Sequence, residues 1–279
     1  MIPALNEEFR LPRTLERTLA HLAVQPYSSA VVVVDNGSVD RTAEVVRSFT
    51  GGSIPVHLIG CARRGKGSAV RRGFLTSRSR FVGFMDADLA TPVETLDAVV
   101  PLLEGGATAV IASRHLRTAA RAVPQGTVRR LGGGAFRLAA RSVLPSVSDS
   151  QCGFKFFRTP EVQAVLPDSL VDGFSFDLEI LSRLHRSGHR ILEVPVVWTD
   201  VGGSTFNPVR HGLRSFSDTI RIHRSTPGRA ACQSPRVVIE PTALTAVGEA
   251  PPPDPTITTI LPAEPLPAPL DPMTLTEAR

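Results

Sequence analysis

The sequence predicts an α/β fold in which helices cover both faces of a mainly parallel sheet. Short runs of β-branched residues alternate with segments of helical periodicity through the first half of the 279 residues. From Pro227 onward the chain instead holds twelve of its 24 prolines and no aromatic residue. Alternating strands and helices favour parallel strands joined by crossover helices. The C-terminal stretch has too little apolar surface to offset the entropy of ordering it.

The predicted elements follow one another at short intervals. Strands are expected at residues 30–34, 56–59, 81–85 and 107–112, and helices at 40–49, 66–77 and 91–103. Thr91 is expected to cap the last of these helices, with Pro92 at its first position and Glu94 completing a capping box. Gly105 and Gly106 are expected to end it.

The first strand of this sheet is predicted to be nearly absent. Only Met1 and Ile2 precede Pro3, and a leucine-rich helix follows soon after. A central position of the sheet would then lack its ladder of backbone hydrogen bonds. Each unsatisfied buried backbone group would cost about 1 to 3 kcal/mol, so the sequence predicts low stability.

Composition and charge exclude several classes of protein. The chain is 42% apolar with a formal net charge of +5, which is typical of a protein with a sizeable core. Its apolar runs are shorter than the roughly 20 residues of a membrane-spanning helix, and no signal peptide is apparent. The three cysteines show no spacing typical of a zinc site. We therefore expect a cytoplasmic protein without a nucleic-acid partner.

Two regions are expected along the chain: a folded domain over residues 1–224 and a Pro-rich, disordered tail over 225–279. Within the domain no acid occurs between Glu104 and Asp149, while arginines accumulate. Helical spacing predicts an amphipathic helix over 127–144. This helix either rests on an anionic membrane surface or packs on the domain with its arginines in water.

Two carboxylates follow a predicted buried strand. Asp86 and Asp88 lie at spacing i, i+2 between strand 81–85 and the helix at 91. Open α/β sheets bind ligands at the carboxyl ends of their strands. Hard oxygen donors there suit Mg²⁺ or Mn²⁺ bridging a diphosphate, although an isolated Asp-x-Asp also occurs as ordinary turn chemistry.

Two further loops point to a nucleotide. Asp35, Asn36 and Gly37 follow strand 30–34 and are expected to converge with the Asp86 loop, unless they form only a strand-to-helix turn. Residues 60–67 nearly match a phosphate-binding P-loop, but Gly67 stands where a magnesium-binding Ser or Thr is required. We therefore interpret Lys66 as a single cation for a diphosphate or a base, not as part of a nucleoside triphosphatase.

These loops together resemble a known family. The segments 3–7, 35–40, 64–73 and 86–88 are similar to those of the family 2 glycosyltransferases, which have the nucleotide-sugar-binding GT-A fold. Segments 149–157, 173–179 and 194–198 resemble the dolichyl- or polyprenyl-phosphate hexosyltransferases within that family. The similarity runs from Ile2 to about Arg224.

The resemblance implies a role for each matching residue. It implies that Asp35 binds the base, with Asn36 and Gly37 in the same loop, and that Asp86 and Asp88 hold the metal on the diphosphate. The remaining contacts divide between the donor and the acceptor. The ribose or phosphate contacts are Pro3, Ala4, Glu7 and Lys66; Arg114 matches the arginine of the family's Ser-Arg element; Arg129 or Arg130 matches the basic groups that meet the acceptor phosphate; Gln151 faces the sugar.

Two acids and one departure complete the comparison. Asp177 and Glu179 lie where the family has acids beside the reacting centre, although acids also simply line the start of a helix. Ala90 replaces a polar residue found in relatives with Asp-Ala-Asp-Leu-Gln, so water is expected to complete the metal shell. Asp86, Asp88, Asp177 and Glu179 are thus the candidate catalytic residues.

The implied reaction is inverting transfer of a hexose from UDP-glucose or GDP-mannose to a polyprenyl phosphate. The acceptor phosphate is already an anion near neutral pH, so the site needs charge balance more than a strong base. The arginine-rich segment would hold the enzyme peripherally on the inner face of a membrane. The alternatives are a glycosyltransferase with a soluble acceptor and an inactive protein that only binds a sugar nucleotide.

Overall fold

A computed structural model describes residues 1–116, 120–121, 140–199 and 217–223. The chain divides into the units Met1–Leu244 and Thr245–Arg279, and every described residue lies in the first unit. The predicted tail falls outside the described residues. Of the predicted helix 127–144, only residues 140–144 are described, and residues 140–143 are helical.

Three sets of strands form the β-structure. The first sheet contains the parallel strands β1 (Ile2–Ala4), β2 (Val31–Asp35) and β3 (Val56–Gly60), in that order. The second contains β4 (Phe81–Met85), β5 (Ala109–Ser113), β7 (Phe154–Arg158) and β8 (Ile191–Pro195), in the order β4-β7-β5-β8. The short strands β6 (Ala120–Arg121) and β9 (Val197–Trp198) pair with each other. Strand β7 runs antiparallel to both of its neighbours, β4 and β5.

Helices cover both faces of these strands, as predicted. One core contains buried residues of α1 (Leu11–Ala23), α2 (Thr42–Ser48) and α4 (Leu96–Glu104). The other contains buried residues of α3 (Lys66–Thr76), α5 (Thr159–Val165) and α6 (Phe176–Arg186). Alternate residues of β5 face opposite cores, Val110 in the first and Ile111 in the second. Residues 217–223 form a further helix, and no helix in the described ranges is long and apolar enough to cross a membrane.

The first strand is as short as predicted, but its place in the sheet is filled. Strand β1 pairs with β2 over all three of its residues. On its other side the Met1 carbonyl oxygen accepts a hydrogen bond from the Met85 amide at 3.1 Å. The Met1 nitrogen donates to the Gly83 carbonyl oxygen at 2.7 Å. The expected gap between β2 and β4 is therefore absent, and the low stability predicted from it loses its physical basis.

The start of α4 differs from the prediction, whereas its end agrees. A 3₁₀-helix (Val93–Thr95) precedes α4, and no side chain caps either of them. Thr91 is buried, and its hydroxyl lies 3.6 Å from the Cys152 sulfur instead of the helix N–H groups. Packing against a neighbouring loop has thus replaced the capping box. At the C-terminal end, the Gly105 amide donates to the Pro101 carbonyl oxygen at 2.8 Å, and Gly106 has a positive φ of 98°.

The stability of the sheet is tested with two phenylalanines in opposite environments. Phe157 in β7 is 1% exposed and its ring centroid lies 5.5 Å from that of Phe74, whereas Phe9 is 86% exposed. Phe157→Ala is expected to lower the free energy of unfolding by about 3 to 5 kcal/mol, because it leaves a cavity in the core. Phe9→Ala is the control and should leave the urea midpoint almost unchanged. Equal midpoints for the two variants would contradict this packing.

Candidate active site

The candidate site lies at the carboxyl ends of β1, β2, β4 and β5. Ala4 and Asp35 end β1 and β2, Asp86 directly follows β4, and Arg114 directly follows β5. The Asn36 amide donates to the Ala4 carbonyl oxygen at 2.9 Å, which holds the first two of these ends together. The predicted convergence with the Asp86 loop is present as well, because Asn36 binds Gly65 and the next residue, Lys66, pairs with Asp86.

The loop after β1 is fixed by its neighbours. The Glu7 carboxylate accepts two hydrogen bonds of 2.7 Å from the Arg10 guanidinium, and the Glu7 amide donates to Thr42 at 2.8 Å. Burial raises the pKa of Glu7, although Arg10 opposes this effect. In the next loop, the Asp35 carboxylate accepts a hydrogen bond from the Ser38 amide at 2.9 Å. Glu7 and Asp35 thus both border the site. The Glu7 carboxylate is bound by Arg10, whereas the Asp35 carboxylate accepts a backbone hydrogen bond within its own turn.

Asn36 ties the loop after β2 to the loop after β3. Its side-chain nitrogen donates to the carbonyl oxygens of Cys61 and Arg63 at 3.1 and 2.7 Å, and its side-chain oxygen accepts from the Gly65 amide at 2.7 Å. Both N–H groups of the amide are used in these bonds. The contacts of Asn36 therefore favour a role in shaping the pocket over direct contact with a substrate.

The glycines around Lys66 allow a close backbone approach. The Asp172 carbonyl oxygen accepts hydrogen bonds from the Gly67 and Ser68 amides, at 2.8 and 3.4 Å. A Cβ on Gly65 would lie 2.2 Å from that oxygen, and one on Gly67 would lie 2.5 Å from the Phe176 Cβ. The Gly67 and Ser68 N–H groups in the first turn of α3 are thus bound by the protein itself. A P-loop would direct them at phosphate, so this geometry argues against a nucleoside triphosphatase.

Lys66 instead pairs with the first carboxylate of the Asp-x-Asp segment. Its Nζ lies 2.5 Å from Asp86 Oδ1. Burial lowers the pKa of Lys66, but the carboxylates of Asp86, Asp177 and Asp88 outweigh this effect and raise it. Burial and the negative charge of Asp86 raise the pKa of Asp88, whose Oδ1 accepts the Ala90 amide at 3.0 Å. Asp86 is thus paired with Lys66, and Asp88 lies near enough to both for their charges to affect its pKa.

This arrangement fits a divalent cation that also binds a substrate. Asp86 and Asp88 line a pocket with Gly153 and Trp198, and no group of three or more His, Cys, Asp or Glu residues suited to a metal occurs among the described residues. Ala90 offers no side-chain ligand, and its carbonyl oxygen accepts the Thr199 amide at 3.0 Å. Two protein carboxylates leave most positions of Mg²⁺ or Mn²⁺ for phosphate oxygens and water.

Arg114 is held by Asp149, whose backbone is bound in turn by Glu193, an acid that the sequence did not single out. Its Nε and Nη2 donate to the Asp149 carboxylate at 2.7 and 2.9 Å, and the guanidinium lies 5.5 Å from the Trp198 ring centroid. Burial alone would raise the pKa of Asp149, but Arg114 holds it below its ordinary value. Glu193 in turn accepts the Ser148 and Asp149 amides at 2.9 and 3.1 Å. The only signal for Glu193 in the sequence is an acid inside an otherwise apolar strand.

Gln151, which the resemblance assigns to the sugar, lies in contact with Asp177. The Gln151 Nε2 donates to Asp177 Oδ1 at 2.6 Å, and the Lys155 Nζ lies 3.0 Å from Asp177 Oδ2. Burial raises the pKa of Asp177, with Lys155 as the main opposing group. Asp177 is 5% exposed and Lys155 is fully buried. Lys155 is therefore a further candidate for a role in the site, although the family resemblance assigned it none.

Glu179 lies in a separate network. Its carboxylate accepts hydrogen bonds from the Ser169 hydroxyl and from the Leu170 and Val171 amides, at 2.8 to 3.0 Å. Arg183 Nη2 pairs with Glu179 Oε1 at 3.0 Å. Because this side chain is fully buried, its contacts favour holding the loop over acting on a substrate. Arg129 and Arg130 lie outside the described residues.

The fold and the position of these side chains are those of a sugar-nucleotide-dependent transferase, and a comparison with protein-family models agrees. Residues 1–162, more than half of the chain, match the model of the family described as glycosyl transferase family 2. The chain belongs to this family. The family assignment made from its motifs is therefore confirmed.

Curated relatives are more specific. A dolichyl-phosphate beta-glucosyltransferase of Dictyostelium discoideum is 29% identical over 236 residues, covering 80% of this chain and 72% of that protein. One from Trichomonas vaginalis is 32% identical over 234 residues, covering 80% and 71%. One from Homo sapiens is 30% identical over 237 residues, covering 80% and 73%. The chain is thus similar to dolichyl-phosphate beta-glucosyltransferases over most of the length of each.

Solved structures share the fold. Glucosyl-3-phosphoglycerate synthase from Mycobacterium tuberculosis in complex with Mn²⁺ and uridine-diphosphate-glucose has a TM-score of 0.61 and 21% identity, covering 81% of this chain and 78% of that chain. Its complex with uridine diphosphate has a TM-score of 0.60 and 21% identity, covering 82% and 80%. At this identity the similarity concerns the fold, and the predicted GT-A fold is confirmed.

The role of Asn36 in the pocket is tested by an isosteric change. Asn36→Asp would place a carboxylate oxygen against the carbonyl oxygens of Cys61 and Arg63, and a lost partner at a buried group costs about 1 to 3 kcal/mol. We expect the free energy of unfolding to fall by about that amount, measured by urea denaturation at pH 7.

The matched control is Asn6→Asp in the neighbouring loop. Asn6 has a positive φ of 58°, and its side-chain oxygen accepts the Val39 amide at 2.9 Å. Aspartate tolerates this conformation and still accepts that bond. The control should therefore be nearly neutral, and a loss of stability equal to that of Asn36→Asp would contradict the assignment.

Proposed function

We propose that the protein transfers glucose, with inversion, from UDP-glucose to a polyprenyl or dolichyl phosphate at a membrane surface. One observation carries the proposal: Lys66, Asp86 and Asp88 form a charged cluster at the end of β4, on the same sheet edge as Arg114. Such a cluster suits a nucleoside diphosphate on one side and a phosphate acceptor on the other. The names of the curated relatives support glucose over mannose, and hence UDP-glucose over GDP-mannose.

The donor side is built to bind a diphosphate through charge. Asp35 would bind the base, with Pro3, Ala4, Glu7 and Gly37 lining the ribose side. Lys66 would contact the diphosphate, and Asp86 and Asp88 would hold Mg²⁺ or Mn²⁺. When bound, this cation would supply positive charge to the departing nucleoside diphosphate.

The acceptor side needs a cation more than a base. A phosphate monoester is an anion near neutral pH, so its oxygen attacks the anomeric carbon without first losing a proton to the protein. The bond from that carbon to the diphosphate breaks as the new bond forms on the opposite face. The Asp149 pair fixes Arg114 through Nε and Nη2, which leaves Nη1 for the acceptor phosphate. The protein then contributes mainly alignment and electrostatic stabilisation.

Membrane contact is proposed for the arginine-rich segment. Arg129 and Arg130 would meet the acceptor phosphate or the anionic leaflet on the inner face, where each arginine contributes on the order of 1 kcal/mol. Two such contacts would give weak, reversible binding, which suits a peripheral enzyme that must reach a lipid phosphate in the membrane. A lipid acceptor is the expected substrate for that reason.

The activity is tested by supplying labelled UDP-glucose or GDP-mannose to the protein on vesicles that contain a polyprenyl phosphate. We expect label from UDP-glucose in the organic extract, and only when the lipid phosphate is present. Label that stays in water-soluble products would indicate a soluble acceptor. Binding of UDP-glucose without transfer to any acceptor would indicate an inactive binding protein.

The metal clamp is tested by Asp88→Asn. This variant keeps an oxygen for the Ala90 amide but removes a negative charge from the cation site, so we expect kcat to fall at least about 100-fold with little change in the melting temperature. Steady-state rates across a Mn²⁺ titration provide the measurement. The control is Asp97→Asn in α4, whose side chain is 57% exposed. Near-normal rates with unchanged metal dependence would remove Asp88 from the site.

The acceptor assignment is tested by changing Arg129 and Arg130 together to glutamine. We expect the apparent KM for the lipid phosphate to rise about tenfold or more, while the KM for UDP-glucose stays roughly constant, because the two residues are assigned to the acceptor. A paired change of the exposed residues Arg47 and Arg78 is the control for lost surface charge. An equal loss of donor affinity would place Arg129 and Arg130 in the donor subsite.

A further inference from the structure

A lysine lies buried in the middle of the sheet beside the candidate site. Lys155 is the second residue of β7, opposite Phe84 of β4 and Ile111 of β5. Its side chain is fully buried, and its Nζ lies 5.4 Å from the Phe84 ring centroid. Burying an ammonium group is strongly unfavourable unless it is paired and hydrogen-bonded. Lys155 therefore needs hydrogen-bond acceptors and a negative charge within reach of its Nζ.

Two acceptors satisfy the ammonium group. The Lys155 Nζ donates to the Cys152 carbonyl oxygen and to Asp177 Oδ2, the latter at 3.0 Å. The first bond ties the lysine to the loop that carries Gln151. The second joins that loop to the start of α6. Lys155 thus gives the Asp177 carboxylate a counter-charge, which favours its ionised form in a place from which water is largely excluded.

The other oxygen of Asp177 fixes the amide of Gln151. Asp177 Oδ1 accepts the Gln151 Nε2 at 2.6 Å and the Leu178 amide at 2.9 Å. An ionised carboxylate only accepts hydrogen bonds, so the NH₂ group of Gln151 must face it. The side-chain oxygen Oε1 then points to the other side. This oxygen has no hydrogen-bond partner among the described residues, and Gln151 is partly exposed.

Gln151 lies close to the cluster that would bind the diphosphate. Two residues later, Gly153 approaches Asp86 so closely that a Cβ would lie 1.9 Å from Asp86 Oδ2. The carboxylate of Asp177 also lies near enough to Lys66 to raise the pKa of that lysine. An acceptor oxygen on Gln151 therefore stands beside the donor pocket.

We propose that Lys155 and Asp177 are positioning residues that orient the Gln151 amide, so that its Oε1 accepts a hydrogen bond from a hydroxyl of the donor sugar. This inference rests on the proposed function for the identity of the sugar. It assigns no proton transfer to Asp177. The site selects a hydroxyl that donates, and an analogue without that hydroxyl leaves Oε1 unpaired.

The orientation is measured first without any substrate. In protein labelled with ¹⁵N only in glutamine, one side-chain NH₂ proton is expected well downfield of the others, because it is bonded to a carboxylate. Gln151→Ala assigns the signal. Lys155→Met and Asp177→Asn should each remove it, since the first leaves Asp177 without its counter-charge and the second leaves Lys155 without one. A wild-type Gln151 amide at an ordinary shift would overturn the proposal.

Activity then separates positioning from chemistry. With UDP-glucose, Lys155→Met and Asp177→Asn should each lower kcat/KM about tenfold or more. The double variant removes both charges, and the side-chain amide oxygen introduced by Asp177→Asn still accepts from Gln151. Because the acceptor is then a neutral amide, the carboxylate-dependent downfield signal should stay absent, while kcat/KM should return to within about threefold of wild type. A folded but inactive double variant would give Asp177 a direct chemical role and overturn the proposal.

The hydroxyl is identified with UDP-glucose analogues that each lack one sugar hydroxyl. Wild type should use one analogue about three- to tenfold less well than UDP-glucose, the worth of one neutral hydrogen bond, and Gln151→Ala should abolish that difference. Unchanged discrimination by Gln151→Ala would contradict the contact. If the protein shows the downfield signal but does not turn over UDP-glucose, the proposed function is refuted. The orientation of Gln151 by Lys155 and Asp177 would still stand.

Arg183→Met is the matched control. Arg183 pairs with the buried Glu179 at 3.0 Å in the network around residues 169–171. This variant also leaves a buried carboxylate without its cation, so its melting temperature should fall. The downfield Gln151 signal and the discrimination between analogues should remain. Loss of both in Arg183→Met would indicate that general destabilisation, and not the Lys155 pair, controls Gln151.

Discussion

The close approach of Gly153 to Asp86 is the constraint on which the rest of the site depends. The Asp86 amide donates to the Gly153 carbonyl oxygen at 2.9 Å, and the space beside the Asp86 carboxylate has no room for a side chain at residue 153. This contact joins the end of β4 to the start of β7. It brings the loop of Asp86 and Asp88, for which we propose metal binding, beside the loop of Gln151, for which we propose contact with the sugar, so that both loops could act on a single substrate.

Buried acids organise the loops around this contact. Glu193 binds two backbone amides of the segment that carries Asp149, and Asp149 holds Arg114. Glu179 binds the Leu170 and Val171 amides. Each carboxylate is buried at an energetic cost that its hydrogen bonds must offset. Such acids give a rigid frame around the more exposed Asp86 and Asp88, whose contacts with Lys66 and the Ala90 amide leave carboxylate oxygens available to a bound cation.

The fold followed from local pattern, whereas the details of the site required tertiary contacts. The strands β2, β3, β4 and β5 and the placement of Asp35, Asp86 and Asp88 at strand ends were predictable from β-branched runs and their boundaries. The antiparallel course of β7 was not, because its pairing joins segments far apart in the chain. Thr91 failed as a cap because its hydroxyl packs beside Cys152 in the folded protein. Lys155 and Glu193 look like ordinary charged residues until burial shows that each must have a partner.

The course of β7 also bears on how the protein is made. Strands β4 and β5 flank β7, yet both leave the ribosome before it, and Arg158 ends β7 forty-five residues after Ser113 ends β5. At typical synthesis rates this interval lasts roughly a few seconds. During that time the apolar edges of β4 and β5 are open to incorrect pairing with each other or with other chains. Because β7 lies between β4 and β5, this sheet and the contact of Gly153 with Asp86 form only after residues 154–158 have been synthesised.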